Sequence, residues 1–125
     1  MGKTVMLIED EPNIIEAISF LLERDGWTVR LHSEGVDAVE AVHRVAPDVV
    51  VLDVMLPGKS GFDILKELRE AEVTRDLPIL MLTARGQTKD RDLATRYGVS
   101  AFMTKPFSNA DMLKAVRDLA ENEGA

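Results

Sequence analysis

Five short apolar runs recur along this chain, Val5 to Ile8, Trp27 to Leu31, Val49 to Leu52, Ile79 to Leu82 and Ala101 to Met103, and an amphipathic stretch follows each one. That alternation constrains the fold more than any other feature. Runs with little polar interruption suit strands buried on both faces, and strand–helix–strand units with right-handed crossovers build a parallel sheet covered by helices on both sides. The sequence therefore predicts a doubly wound α/β domain with a five-stranded parallel sheet. At 125 residues the chain has length for one such domain, which buries roughly two-thirds of the surface its unfolded form exposes. No Pro/Gly/Ser-rich linker, internal repeat or low-complexity segment divides it, so residues 1–125 are read as a single domain.

The intervening stretches carry helical periodicity. Ile14, Ile18, Leu21 and Leu22 share one face before Gly26 stops the first helix. Val36, Val39, Ala41 and Val42 follow Gly35, and Pro47 closes that segment. Phe62, Ile64, Leu65 and Leu68 form a third stripe, and Leu93, Ala94 and Tyr97, ended by Gly98, a fourth. Met112, Leu113, Val116 and Leu119 make a fifth, with Ser108 or Asn109 as its N-cap. The tail Glu121 to Ala125 has no periodic signal and is expected to fray. Phe20 lies off the first stripe, an exposed aromatic and a candidate partner contact.

Composition removes several function classes. With 22 acidic against 15 basic residues the net charge is -7, which opposes direct binding of nucleic acid. The absence of cysteine excludes disulfides and thiolate metal sites and agrees with a reducing compartment. The start Met1-Gly2-Lys3-Thr4 has no basic region leading into a signal-peptide core, and no apolar stretch approaches the length of a membrane span. A cytoplasmic protein without membrane contact is expected.

Asp53 carries the first chemical signal. It ends the apolar run Val49-Val50-Val51-Leu52 and precedes the loop signal Leu56-Pro57-Gly58. In open α/β sheets ligands bind outside the carboxyl ends of the strands, so an acid there suggests a site. The first run ends in Glu9-Asp10-Glu11, and in a parallel sheet this is the same edge. Carboxylates that close repel one another unless one takes a proton or a cation neutralises them, and an oxygen-only donor set favours a hard divalent ion such as Mg²⁺. Glu11 taken alone fits a simpler place, complementing a helix N-terminus. The fourth run ends in Thr83 and the fifth in Thr104-Lys105-Pro106-Phe107, adding a hydroxyl and a compact cation suited to phosphoryl oxygens. Pro106 restricts the backbone of Lys105 and permits a cis bond between them.

The set Glu9-Asp10, Val51-Leu52-Asp53-Val54-Met55-Leu56-Pro57-Gly58, Leu82-Thr83-Ala84 and Thr104-Lys105-Pro106-Phe107 resembles the receiver domain of bacterial two-component response regulators. The resemblance covers essentially the whole chain, and its joint motif is far more specific than any one piece. It implies the flavodoxin-like, CheY-like strand order 2-1-3-4-5. It further implies that Asp53 accepts a phosphoryl group from a sensor histidine kinase or a histidine phosphotransfer protein, in a signalling protein rather than an enzyme. Asp10, Asp53 and the backbone carbonyl of Met55 would hold Mg²⁺, with Mn²⁺ as a substitute and Glu9 acting through water. Lys105 and Thr83 would meet the phosphoryl group. Phe102, three residues before Lys105, matches the switch aromatic that moves with Thr83, passing the signal through the α4-β5-α5 face to a downstream target or output domain. Met55 and Arg85 would flank the phosphoryl group and tune its lifetime.

Three positions depart from that pattern, one being Glu9 in place of Asp at the first acidic position, which lengthens the reach to the ion and leaves the metal site credible. The branch that dimerises to bind DNA places two acids before the switch aromatic, whereas this chain has Ser100 and Ala101. A monomer or a phosphorylation-dependent dimer both remain open, and Arg91 with Asp111 supplies at most one weak pair. Competing readings fare worse. A nucleotide-binding P-loop needs a glycine where Asp53 stands, ahead of Gly58-Lys59-Ser60. An Asp-nucleophile phosphohydrolase resembles D-x-D at the first strand, which Glu9-Asp10-Glu11-Pro12 lacks. A non-phosphorylated pseudo-receiver would have lost members of the acid, Thr and Lys set.

Overall fold

A computed structural model describes residues 3–84 and 88–122. Met1-Gly2, residues 85–87 with Arg85 among them, and residues 123–125 of the tail lie outside them. Five strands, β1 (Thr4–Ile8), β2 (Thr28–His32), β3 (Val49–Asp53), β4 (Ile79–Thr83) and β5 (Ala101–Thr104), alternate with α1 (Pro12–Arg24), α2 (Ala38–Val45), α3 (Gly61–Glu70), α4 (Thr88–Arg96) and α5 (Asn109–Asn122). The strands form one parallel sheet in the order β2-β1-β3-β4-β5. Crossovers on both sides of β1 and β3 put α1 and α5 on one face and α2, α3 and α4 on the other.

Strand side chains alternate between two cores. Val5, Leu7, Val49, Val51, Leu80 and Leu82 pack with Ile18, Leu22, Met112 and Val116 of α1 and α5. Met6, Ile8, Val50, Leu52, Ile79 and Met81 pack with Ala41, Val42, Ile64, Leu65, Leu68 and Ala94 of the opposite helices. Every residue of β3 and β4 is buried, which is why those runs read as continuously apolar. Each buried aliphatic side chain contributes about 1.5–3 kcal/mol.

Local differences from the expected elements have local causes. Trp27 belongs to the end of α1 rather than to β2: its N–H bonds the Leu22 carbonyl, Gly26 N–H bonds the Glu23 carbonyl, and Gly26 has φ +94. This is a Schellman closure, so the strand begins at Thr28. Val36 precedes α2 and stands 69% exposed, outside the apolar stripe. Asp53 and Thr83 lie within their strands, paired with Leu82 and Thr104. Ser108 caps α5 by accepting the Asp111 N–H at 3.0 Å. Phe20 is exposed, with the Arg24 guanidinium 5.4 Å from its ring. No helix among the described residues is long and apolar enough to cross a membrane.

Candidate functional site

β1, β3, β4 and β5 deliver the functional groups at their carboxyl ends, two from β1 and one from each of the others. Glu9 and Asp10 follow β1, Asp53 closes β3, Thr83 closes β4, and Lys105 follows β5. The carboxylates of Glu9, Asp10 and Asp53 have ligand atoms within 4.8 Å of one another. Glu9 and Asp53 are buried and Asp10 is exposed, so the cluster opens to solvent on one side.

Lys105 is the counter-charge. Its Nζ lies 3.0 Å from Glu9 Oε1 and 3.3 Å from Asp53 Oδ1. The other oxygen of Glu9, Oε2, accepts the backbone N–H groups of Asp10 and Glu11, each at 3.1 Å. Both Glu9 oxygens are thus engaged, while Asp53 is paired with Lys105 through Oδ1 and Asp10 faces solvent. Glu11 takes the N-cap position of α1 without a side-chain capping bond and with Pro12 behind it.

Burial is the largest influence on Asp53, followed by the charge of Glu9. Together they outweigh Lys105 and raise its carboxyl from 3.8 to about 6. Burial opposes the Lys105 charge, but Glu9 and Asp53 prevail and hold its ammonium above the ordinary lysine range. Three carboxyl groups face one ammonium, a formal excess of two negative charges. A hard divalent cation matches both that excess and the all-oxygen donor set.

The loop after β3 is tightly folded. Gly61 N–H bonds the Val54 carbonyl at 2.9 Å, and a Cβ on Gly61 would stand 2.9 Å from the Val54 Cα and closer still to the Asp53 carbonyl. Glycine lets α3 start against the end of the strand that carries Asp53. Met55, within that loop, is exposed.

Thr83 is buried, and its carbonyl accepts the Lys105 N–H at 2.7 Å, which links the ends of β4 and β5. The Lys105–Pro106 bond is cis. Phe102 pairs with Met81 across the sheet, packs half-buried into the α2–α3–α4 core, and has the Arg91 guanidinium 5.1 Å from its ring. Glu9, Asp10, Asp53, Thr83 and Lys105 therefore share one strand edge, with Phe102 two positions up from it on β5, while Arg85 lies outside the described residues. Two partners escaped the sequence reading. Arg91 stacks on Phe102 across two elements, a contact with no periodic signature. Ser100 Oγ accepts both the Ile79 N–H and an Arg69 N–H, at 3.0 and 3.1 Å, so the residue standing in place of an acid is turned to internal use.

The response regulator receiver domain profile matches residues 5–117. The Probable transcriptional regulatory protein TcrX of Mycobacterium tuberculosis is 40% identical over 121 residues, covering 97% of this chain and 51% of that protein. The phosphate regulon transcriptional regulatory protein PhoB of Escherichia coli is 36% identical, covering 94% and 51%. The chain spans about half the length of these curated relatives. The receiver domain of a sensor histidine kinase from Pseudomonas aeruginosa, solved with a magnesium ion coordinated in its active site cleft, superposes with a TM-score of 0.89. It is 29% identical, and the match covers 98% of this chain and 100% of that one.

Proposed function

The chain belongs to the response regulator receiver domain family, and we propose that it works by accepting a phosphoryl group on Asp53. The observation that carries this reading is the burial of Asp53 at the end of β3 with Lys105 Nζ 3.3 Å away and two further acids beside it. The donor is a phosphohistidine of a sensor kinase or phosphotransfer protein. An Asp53 carboxylate oxygen attacks phosphorus, the P–N bond breaks, and its electron pair stays on the donor imidazole. An aspartyl phosphate results.

The protein's part is positioning and charge. Asp10, Asp53 and the backbone carbonyl of Met55 would hold Mg²⁺, or Mn²⁺ in its place, with Glu9 acting indirectly; when bound, the ion would supply positive charge against the phosphoryl oxygens. Lys105 meets a phosphoryl oxygen as its pairing to Asp53 is given up, and the Thr83 hydroxyl donates to another. Glu9, with both oxygens committed to Lys105 and two backbone N–H groups, suits an indirect role. Movement of Thr83 leaves space for Phe102, and the face formed by α4, β5 and α5 passes the change to a protein target or an output domain. The transcriptional names of the relatives favour an output domain that binds DNA, since the acidic charge of this chain opposes doing so itself. Residues 1–125 form one receiver unit working in the cytoplasm.

Incubation with Mg²⁺ and acetyl phosphate tests this directly. The expected product carries one acid-stable, base-labile phosphoryl group, seen as a single mass increment, and Asp53→Asn abolishes it. Undiminished labelling of Asp53→Asn would refute the assignment.

A further inference from the structure

We infer that the β2–α2 loop, residues 33–37, is a positioning element of the cation site and that Gly35 sets its place; the inference rests on the reading that the Met55 carbonyl helps hold Mg²⁺. Gly35 is buried in a loop whose other residues are exposed. Its N–H donates to the Pro57 carbonyl at 3.0 Å, two residues beyond Met55. A Cβ at Gly35 would stand 2.8 Å from Lys59 Cβ and nearer still to the Lys59 carbonyl oxygen, which is backbone and cannot swing aside. The fit is mutual. Gly58 has φ +84, and a Cβ there would lie 2.5 Å from Cγ2 of Val36. The β2–α2 and β3–α3 loops interlock through two glycines, one admitting the Lys59 backbone and the other the Val36 side chain.

The same loop is fastened at its origin. His32 Nε2 and Asp37 Oδ1 lie 2.8 Å apart and close it across its mouth, while the His32 carbonyl accepts the Glu9 N–H at 3.0 Å. Contacts therefore run from Glu9 through His32 into the loop, and from Gly35 to Pro57 beside Met55. The acids of β1 and the carbonyl of the β3 loop are held in register by a segment that supplies no ligand. Mg²⁺ demands near-ideal octahedral geometry with short bonds, so a small displacement of one carbonyl ligand is costly to it. Outer-shell supports of this kind typically govern metal affinity by about 10–100-fold.

The test is calorimetric titration of Mg²⁺ into the whole chain as wild type, Gly35→Ala, Val36→Gly and Gly26→Ala, each also melted in EDTA. Gly26 has φ +94 with nothing within 4 Å of a Cβ, so its substitution strains a turn remote from both loops. The expected result is affinity weakened about tenfold in Gly35→Ala and about threefold in Val36→Gly, with Gly26→Ala unchanged in affinity although its melting temperature falls. A general loss of stability would not separate these variants. Equal affinity of wild type and folded Gly35→Ala overturns the positioning role and leaves the cation reading intact. A wild type that binds no Mg²⁺ overturns both. Should Gly35→Ala not fold, Val36→Gly decides, and unchanged affinity there overturns the inference.

Discussion

Removing the charge of Asp53 stabilises the metal-free protein at neutral pH and leaves its stability in acid unchanged. Asp53 is 3% exposed, and burial, then Glu9, raises its carboxyl from 3.8 to about 6. A group whose native pKa lies above its unfolded value favours folding below about pH 4, where both states are protonated, and loses that contribution as pH climbs to 6 and beyond. A shift of about two units at about 1.4 kcal/mol each gives roughly 3 kcal/mol as the upper size of the loss. Lys105 is already counted, because its attraction is part of what sets the value. Asp53→Asn mimics the protonated carboxyl, so in EDTA it should exceed wild type by about 1–3 kcal/mol at pH 7.5 and match it at pH 4. Urea unfolding at the two pH values measures this, with equal m-values required so that the difference reports stability. If Asp53→Asn is less stable than wild type at pH 7.5, or gains equally at both pH values, the burial argument for Asp53 is refuted.

Two further outcomes are expected. Lys105→Ala should still be labelled by acetyl phosphate yet lose the coupling to output, so its phosphorylated form binds the downstream target more weakly than phosphorylated wild type; equal binding in a pull-down of the two phosphoproteins contradicts this. Leu68→Ala, which empties a fully buried position under α3, should cost about 2–5 kcal/mol in urea unfolding.

The fold was legible because its strands are buried on both faces, and continuous apolar runs such as Val49 to Leu52 admit few other architectures. Boundaries were less legible where a residue's role is set by backbone bonding. Trp27 looks like strand but finishes the α1 closure through its N–H, and Val36 looks like helix core but packs against Gly58. Among site residues, Glu9, Asp10, Asp53, Thr83 and Lys105 could be placed together because a parallel sheet brings all carboxyl ends to one edge. Their division of labour could not. That Glu9 has both oxygens occupied depends on 3.0–3.1 Å contacts that no spacing encodes. The Arg91–Phe102 stack and the inward use of Ser100 were hidden for the same reason: each joins elements far apart in sequence.

On the proposed mechanism, the layout also explains why a signal made at Asp53 leaves through β4 and β5. Glu9 and Asp10 follow β1 and Asp53 closes β3, interior strands packed on both faces where displacement would open voids, and β4 is interior and buried in the same way. On that mechanism the yielding strand is β5. Thr83 and Lys105 end adjacent strands and are tied by the 2.7 Å bond from the Lys105 N–H to the Thr83 carbonyl, so movement of one is felt by the other. β5 is the sheet edge, and none of its residues is fully buried. Phe102 lies on that strand with Arg91 of α4 over its ring. Before phosphorylation Lys105 is shared between Glu9 and Asp53; afterwards the phosphoryl oxygens outbid both carboxylates for it. On that mechanism, drawing Lys105 and the Thr83 hydroxyl toward the new charge pulls on the less buried strand of the β4–β5 pair, and a moving Phe102 alters its contact with Arg91. The α4 surface therefore changes as a consequence of where the sheet is stiff and where it ends.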